Sequence, residues 1–464
     1  MAKMKVIQNQ IEKTFFFEGE VLLSELLVRY GYTVPHICGG RGSCGKCKVR
    51  CDGKECLSCR TLISRDAVVE LPDCEEMQII TVAGTGQLSE QMCLCLDIGT
   101  TTLVLALVSR DGKCIVDTLT AANPQRIFGA DVISRIDYAT KNGADKLQRV
   151  LLNRLREMTS RLLDRYGLQS VEHLYVTGNT TMLHLFYGED CSGLGVSPYT
   201  PMFLNERSVA AERLGIQGAE TVILMAGFAA FVGADLVSGI RHIGLPKGEK
   251  YCFLVDLGTN AEIALIGKED ILCTAAAAGP CFEGANISCG MSAVDGAVCG
   301  YDGENYTVIG GGAPKGLCAT GLIDVIAHAL DKGDIEESGY AERDIVICDD
   351  VSVTQKDIRE FQLAKSAVRA AMECLLKRKG ITFEQVEALY VTGGFSAGLR
   401  AESAVRVGLL PEALQGKLIR LGNAALMGAM EYACGNHTLL PPARYVELSA
   451  DVTFSELFME YMCF

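Results

Sequence analysis

The segment "CLCLDIGTTTLVLALVS", residues 93–109, decides the fold of this chain because a related segment follows later. That second segment, "CFLVDLGTNAEIALIG" at residues 252–267, has the same order of an apolar strand, an Asp-x-Gly-Thr turn and another apolar strand. Two apolar strands joined by a short turn with glycine predict a β-hairpin. The repetition predicts that the chain contains two related halves.

Further pairs of segments extend the repeat. "VEHLYVTGN" (171–179) and "VEALYVTGG" (386–394) are nearly the same peptide, and each follows an amphipathic helical pattern that ends at Gly167 or Gly380. The apolar stripes of the two helices are Leu147, Leu151, Leu155, Met158 and Leu162 in the first and Phe361, Val368, Met372 and Leu375 in the second. "FGADVISRI" (128–136) and "VGADLVSGI" (232–240) also match, although the second precedes its hairpin.

Composition excludes several classes of protein. A length of 464 residues predicts about three domains, and the net charge of -14 argues against nonspecific binding of nucleic acid. The N-terminus has no apolar targeting segment and the longest apolar run is too short to span a bilayer, so we expect a cytoplasmic protein without membrane association. The 21 cysteines lie largely in apolar segments, which favours reduced thiols over a disulfide framework.

The loop chemistry of the two hairpins suits a nucleotide. Glycine lets backbone N–H groups approach phosphate closely, threonine adds a hydroxyl donor, and aspartate can hold Mg2+ through water. The sequence therefore predicts an ATP and Mg2+ site, with Gly393 and Gly394 beside the adenosine. The phosphate and Mg2+ residues are Asp97, Gly99, Thr100, Thr101 and Thr102 in the first turn and Asp256, Gly258, Thr259 and Asn260 in the second. The alternative is that these turns merely close hairpins.

Three carboxylates are candidates for catalysis. Asp131 and Asp235, each after Gly-Ala, are placed to orient water or bind Mg2+ across a cleft, or else to cap the helices that follow them. Glu262 belongs to the second hairpin, where the alternative is an ordinary solvated strand residue.

A glycine-rich loop, "HICGGRGSCGKCKVR" at residues 36–50, carries three cysteines. Cys38, Cys44 and Cys47 have the spacing C-x5-C-x2-C, close to the plant-type ferredoxin pattern with one extra residue, and the flanks predict a small mixed sheet crossed by one helix. We therefore expect a [2Fe–2S] cluster. Zinc held by the Cys-x2-Cys pairs of "CGKC" and "CLSC" is the alternative, but it leaves Cys38 unused.

The chain resembles two nested groups of proteins. Its hairpins and "YVTGGFSAG" (390–398) resemble the actin, sugar kinase and Hsp70 superfamily of ATPases over residues 93 to about 435. "NPQRIFGADVISRI", "AGPCFEGANISCGM", "GLCATGLIDVIAHAL" and "GNAALMGA" together resemble the reductive activators of corrinoid proteins. That family joins an N-terminal ferredoxin to such an ATPase.

The resemblance implies an α/β and α+β chain. A ferredoxin-like β-grasp domain would occupy residues 1–74 and a linker 75–91. A duplicated actin-like ATPase would follow, with ribonuclease H-like halves at 92–245 and 246–464. The family's fourth cluster ligand lies in a context matched by "LSCRT", which assigns Cys59 over Cys56 and Cys51. Long members place a middle domain before the ATPase, whereas here "LPDCEEMQIITVAGTGQLSEQM" (71–92) joins the two almost directly, so a short form is expected.

The activity that the resemblance implies is ATP-dependent return of Co(II) corrinoid to Co(I), with the electron coming from the [2Fe–2S] cluster. The partner would be the corrinoid protein of a methyltransferase system. The upstream electron donor and the oligomeric state, a homodimer included, stay open. A small-molecule kinase with a regulatory ferredoxin and a redox-sensing nucleotide-binding protein are the alternative functions.

Overall fold

Three large sheets organise the computed structural model, which describes residues 2–8, 11–30, 32, 47–71, 86–129, 131–348, 350–394 and 396–464. One sheet has five strands and lies in the N-terminal region, and the other two have six strands each. No helix among these residues is both long enough and apolar enough to cross a membrane.

The N-terminal region is a small mixed sheet crossed by one helix, as its flanking sequences predict. Its elements are β1 (Ala2–Gln8), β2 (Ile11–Phe17), β3 (Val21–Leu22), α1 (Leu23–Arg29), β4 (Lys48–Cys51), β5 (Lys54–Leu57), β6 (Leu62–Ile63) and β7 (Ala67–Glu70). The five-stranded order is β2-β1-β7-β4-β5, with β1 parallel to β7. Leu23, Leu26 and Leu27 of α1 are fully buried in one core with Met4 and Val6 of β1.

The next region begins with the first predicted hairpin. Its elements are β8 (Met92–Ile98), β9 (Thr102–Ser109), β10 (Cys114–Ala122), α2 (Val132–Asn142), α3 (Asp145–Arg165), β11 (Val171–Gly178), α4 (Thr180–Tyr187), β12 (Arg207–Ala210), β13 (Ala219–Leu224) and α5 (Ala234–Ile243). The sheet order is β10-β9-β8-β11-β13-β12, and β11 runs parallel to β8. The apolar stripe predicted for α3 is buried against this sheet.

The last region repeats that plan. Its elements are β14 (Tyr251–Leu257), β15 (Ala261–Ile266), β16 (Ile271–Ala276), β17 (Ala297–Tyr301), β18 (Tyr306–Val308), β19 (Gly316–Leu317), α6 (Ala319–Lys332), β20 (Ile345–Cys348), β21 (Val351–Val353), α7 (Gln355–Lys379), β22 (Val386–Thr392), α8 (Ala401–Arg406), β23 (Leu418–Arg420), α9 (Ala424–Ala433), β24 (Ala443–Tyr445) and α10 (Val452–Glu460). The sheet order is β23-β22-β14-β15-β16-β24. As in the preceding region, the hairpin pairs in parallel with the strand that follows a long helix.

Helix α5 packs on the sheet of the region that follows it, and helix α9 packs on the sheet of the region that precedes it. This arrangement is here called the exchange of α5 and α9. Leu236 and Ile240 of α5 join the core formed by β14 and β15, whereas Leu426 and Met430 of α9 join the core of the preceding sheet. The two helices approach so closely that a β-carbon on Gly428 would lie 1.8 Å from the carbonyl oxygen of Ser238. The counterpart of α5 is therefore α9, and the Gly-Ala-Asp match between residues 128–136 and 232–240 does not mark equivalent helices.

Candidate functional site

The two hairpin aspartates lie at equivalent points of the two sheets. Asp97, near the end of β8, is in register with Thr177 of β11, and Asp256, near the end of β14, is in register with Thr392 of β22. Because the carboxyl ends of parallel strands meet at one edge of a sheet, each aspartate lies beside the Thr-Gly that ends the neighbouring strand. The structure thus brings together the motifs that the repeat predicted.

Buried polar groups hold the first turn in shape. The amide of Asn123 donates to the carbonyl of Gly99 at 2.8 Å, and the amide of Asn179 donates to the hydroxyl of Thr100 at 3.2 Å. Arg135, with no exposed surface, donates to the carbonyl of Thr100. Buried hydrogen bonds of this kind fix a turn in one conformation.

Glycine has different roles at the predicted site positions. Gly393 has a φ of 109°, and a β-carbon there would lie 2.6 Å from the carbonyl oxygen of Leu257 and 3.0 Å from Asp256 Oδ1. The absence of a side chain at Gly393 therefore allows the backbone at the end of β22 to pack closely against the second turn. A β-carbon on Gly258 would meet nothing closer than 3.4 Å, and one on Gly394 would meet nothing within 4 Å. These two glycines leave open space beside the backbone.

A group of carboxylates, here called the acidic cluster, lies around the two turns. Its members are Asp97, Asp235, Asp256, Glu262 and Glu283. Burial is the largest cause that raises the pKa of Asp97 to about 7, of Asp235 to about 6 and of Asp256 to about 7. Burial and the charges of Asp235 and Asp256 raise the pKa of Glu262 well above its usual range. A cation bound among these carboxylates would favour their charged forms and so oppose the effects of burial and of their mutual repulsion.

Two of the three candidate catalytic carboxylates belong to the acidic cluster, and the third does not. Asp235 lies in the first turn of α5, and Glu262 faces Asp256 across the hairpin. Asp131 instead caps α2: its Oδ1 accepts from the backbone N–H of Ser134 at 2.7 Å, in a reciprocal capping box. This is the capping role that the sequence left open for Asp131.

Sequence reasoning missed Glu283 and Asn423 as site residues. The hydroxyl of Thr101 donates to Glu283 Oε2 at 2.8 Å, and the amide of Asn423 donates to Asp97 Oδ2 at 2.6 Å. Both residues lie within quoted motifs, "AGPCFEGANISCGM" and "GNAALMGA", which supported the family resemblance without assigning a role to either side chain.

Two arginines provide positive charge beside the acidic cluster. Burial lowers the pKa of Arg135 to about 9 and also lowers the pKa of the half-buried Arg126. The charge of Glu283 opposes that shift in both residues. Arg126 and Arg135 therefore lie within electrostatic range of the Glu283 carboxylate. The space between the two turns is here called the cleft; the region of β8–α5 forms its first side, and the region of β14–α10, which includes Glu283, forms its second side.

Two of the four predicted cluster ligands meet in the N-terminal core. Cys47 and Cys59 are 1% and 4% exposed, and their sulfur atoms lie 3.2 Å apart. Cys56, the alternative, is only half-buried on β5. Cys38 and Cys44 lie outside the described residues. Within the described part of the chain, no three His, Cys, Asp or Glu side chains are arranged to hold a metal ion.

The chain matches two family models along most of its length. Residues 92–248 match a model described as the RACo middle region, and residues 250–464 match one described as the C-terminal domain of RACo, the ASKHA domain. The expectation that the middle domain is missing was therefore wrong. The middle region corresponds to the residues predicted as the first half of the ATPase, because that region shares the hairpin-and-helix plan of the ASKHA domain and does not stand apart from it.

Two individual relatives are named for the activation or reduction of corrinoid proteins. The corrinoid activation enzyme RamQ of Eubacterium limosum is 31% identical over 413 residues, which are 79% of this chain and 69% of the relative. The [Co(II) methylated amine-specific corrinoid protein] reductase of Methanosarcina barkeri is 27% identical over 405 residues, 79% of this chain and 74% of the relative.

A solved structure of a reductive activator for corrinoid, iron-sulfur protein aligns with 100% of this chain and 98% of its own, with a TM-score of 0.72 and 26% identity. The mixed α/β fold and the actin-like ATPase domain implied by the resemblance are confirmed. The chain belongs to the family of reductive activators of corrinoid proteins.

Proposed function

We propose that this protein uses ATP and Mg2+ to drive one electron from a [2Fe–2S] cluster in its N-terminal domain to the Co(II) corrinoid of a partner protein. The electron leaves the reduced cluster, which becomes oxidised, and Co(II) becomes Co(I). The corrinoid belongs to the partner, which we take to be the corrinoid protein of a methyltransferase system.

The thiol pair of Cys47 and Cys59 is the observation that carries this proposal. Their sulfurs lie 3.2 Å apart in a buried core, and Cys47 is the last cysteine of the glycine-rich segment in the sequence. Two thiols at this separation fit adjacent ligands of one iron, and backbone N–H groups of a glycine-rich loop suit the sulfurs of a cluster. Cys38 and Cys44 would complete the ligand set, and a bound cluster would supply the transferable electron.

The acidic cluster supports the ATP and Mg2+ part of the proposal. Asp256 and Glu262 form a cross-strand pair, and Asp97 and Asp235 lie close enough to raise the pKa of Asp256. Hard carboxylate oxygens are the ligands that Mg2+ prefers, either directly or through water. The turn hydroxyls of Thr100 and Thr101 and the open backbone at Gly258 suit the phosphates that such an ion accompanies.

The pairing of an electron carrier with an ATPase has a thermodynamic reason. A plant-type cluster has a reduction potential of about -400 mV, and reducing a Co(II) corrinoid can lie lower still. Electron transfer is then uphill, and free energy from nucleotide binding or hydrolysis must favour the products. Two six-stranded sheets that move against each other would supply it if ATP bound one of their arrangements more tightly than the other.

The test is cobalt reduction followed by visible absorbance. Chemically reduced protein is mixed with a Co(II) corrinoid protein from a methyltransferase system, with and without ATP and Mg2+. We expect Co(I) only when both are present. Full Co(I) formation without nucleotide would contradict the coupling.

Matched cysteine variants test the carrier independently of the nucleotide. Cys47→Ala and Cys59→Ala should each lose the iron and acid-labile sulfide, about two of each per chain. Cys56→Ala is the control, because it removes a nearby thiol of the same domain and should keep both. Stoichiometric zinc without sulfide would overturn the cluster.

A further inference from the structure

Glu283 reaches across the cleft between the two turns. One oxygen, Oε2, accepts the 2.8 Å hydrogen bond from the hydroxyl of Thr101 in the first turn. The other, Oε1, would lie 3.6 Å from a β-carbon placed on Gly258 in the second turn. One carboxylate therefore faces both of the turns that are proposed to bind phosphate.

The backbone around Glu283 is anchored in the core of the last region. Glu283 ends a short 3-10 helix, Pro280–Glu283, whose residues Cys281 and Phe282 are 2% and 3% exposed. Gly284 follows with a φ of 76°, and a β-carbon there would lie 2.4 Å from the carbonyl oxygen of Met291. Glu283 therefore moves with the sheet of β14 and β15, and its carboxylate cannot follow Thr101 through a large displacement.

Thr101 is equally tied to the other side of the cleft. Its carbonyl accepts from the backbone N–H of Asn123 at 2.8 Å, and the neighbouring Thr100 is held by Arg135 and Asn179. The bond from Thr101 to Glu283 thus joins two separately braced elements. A rotation of one side against the other breaks it.

We propose that the hydrogen bond from Thr101 to Glu283 holds the two sides of the cleft together and that ATP must break it to bind. Glu283 is called the latch in this role. This rests on the proposed ATP function: phosphate at the first turn needs the Thr101 hydroxyl as a donor, and that donor is bonded to Glu283. A phosphate between the turns also brings negative charge against the Glu283 carboxylate at close range. ATP binding therefore exchanges the Thr101–Glu283 bond for a Thr101–phosphate bond and frees the two sides to move.

Two properties distinguish this role from that of a phosphate or Mg2+ ligand. Removing a ligand weakens nucleotide binding, whereas removing a latch strengthens it. The terminal phosphate of ATP carries the additional charge toward the carboxylate, so the gain should be larger for ATP than for ADP. Arg126 and Arg135, whose charges interact with that of Glu283, keep positive charge on the first side when Glu283 leaves.

The experiment is calorimetric titration of the full-length protein with ATP and with ADP, each with Mg2+. We expect Glu283→Gln to bind ATP about 10-fold more tightly than the wild type and ADP less than about 3-fold more tightly, since tenfold corresponds to about 1.4 kcal/mol. Glu283→Ala should change both affinities in the same direction. Glu304→Gln, which removes a charge from an exposed loop of the same region, should change neither.

Each outcome has one meaning. Weaker ATP binding in Glu283→Gln and Glu283→Ala would overturn the latch and make Glu283 a ligand, and unchanged affinity for both nucleotides would overturn it as well. Thermal unfolding of each variant separates these results from a damaged fold. If the wild type itself bound no ATP, the proposed function would fail before the latch was tested.

Discussion

Asp97 and Asp256 occupy the same place in two matching hairpins, yet their neighbours differ in chemical character. Asp97 accepts a 2.6 Å hydrogen bond from Asn423, which caps α9. For Asp97, this hydrogen bond opposes the effects of burial and of the Asp235 charge on the pKa, whereas burial and the charges of Asp235, Asp97 and Glu283 all raise the pKa of Asp256. Helix α9 thus brings an amide donor to Asp97, and helix α5 brings a carboxylate within electrostatic range of both aspartates.

The comparison shows that two hairpins with the same backbone fold present different chemical groups to the cleft. The first side of the cleft is rich in donors, with the hydroxyls of Thr100 and Thr101 and the guanidinium of Arg135. The second side is rich in acceptors, with Asp256 and Glu262 paired across the hairpin. Phosphate needs donors and Mg2+ needs oxygen ligands, so a duplicated fold supplies both parts of one MgATP site.

The largest expected effect comes from removing the carboxylate charge of each aspartate in turn. Asp256→Asn should lower ATP-dependent Co(I) formation by about 100-fold, because it removes a carboxylate from the Mg2+ side, whereas Asp97→Asn should cost about 10-fold. Both variants should keep the iron content of the wild type. Equal losses at equal Mg2+ concentration would show that the two sides are not specialised, and partial rescue of Asp256→Asn by high Mg2+ would sharpen the assignment.

A smaller effect is expected from the buried guanidinium on the donor side. Arg135→Met keeps the length of the side chain but leaves the carbonyls of Gly129 and Thr100 without their donor, which should lower the free energy of unfolding by about 2 kcal/mol. Urea denaturation measures the change. Arg154→Met, at an exposed pair with Glu157 on α3, is the matched control and should stay within about 0.5 kcal/mol of the wild type.

The sequence predicts the hairpins, the long helices and their following strands correctly because each is encoded locally. The period of Leu147, Leu151 and Leu155 identifies the buried face of α3, and the alternation of apolar strand and Asp-Gly turn identifies both hairpins. The exchange of α5 and α9 was not predictable in this way, since it depends on close approach at Gly428 between segments almost 200 residues apart.

The candidate site was predicted where its residues lie in the repeat and missed where they come from elsewhere. Asp97, Asp235, Asp256 and Glu262 were found through the repeat. Glu283 ends the 3-10 helix Pro280–Glu283, and the matching 3-10 helix of the preceding region, Pro124–Ile127, has no acidic residue, so only the position of Glu283 in space reveals it. The cluster ligands Cys38 and Cys44 stay a prediction from spacing, as does the ferredoxin identity of the N-terminal sheet.

The smallest expected effect, and the sharpest test of the comparison, uses the two turn glycines. A β-carbon on Gly99 would lie 2.8 Å from the carbonyl oxygen of Thr102, so Gly99→Ala forces the backbone to shift and should lower the free energy of unfolding by about 1 to 2 kcal/mol. A β-carbon on Gly258 meets only ordinary contacts, so Gly258→Ala should fold as stably as the wild type. Because its methyl group would project into the space proposed for phosphate, Gly258→Ala should nevertheless bind ATP about 10-fold more weakly. Urea denaturation and calorimetric titration measure the two effects separately. If Gly258→Ala kept full ATP affinity, the phosphates would have to lie away from the second turn, and its carboxylates would then serve Mg2+ without the turn touching the nucleotide.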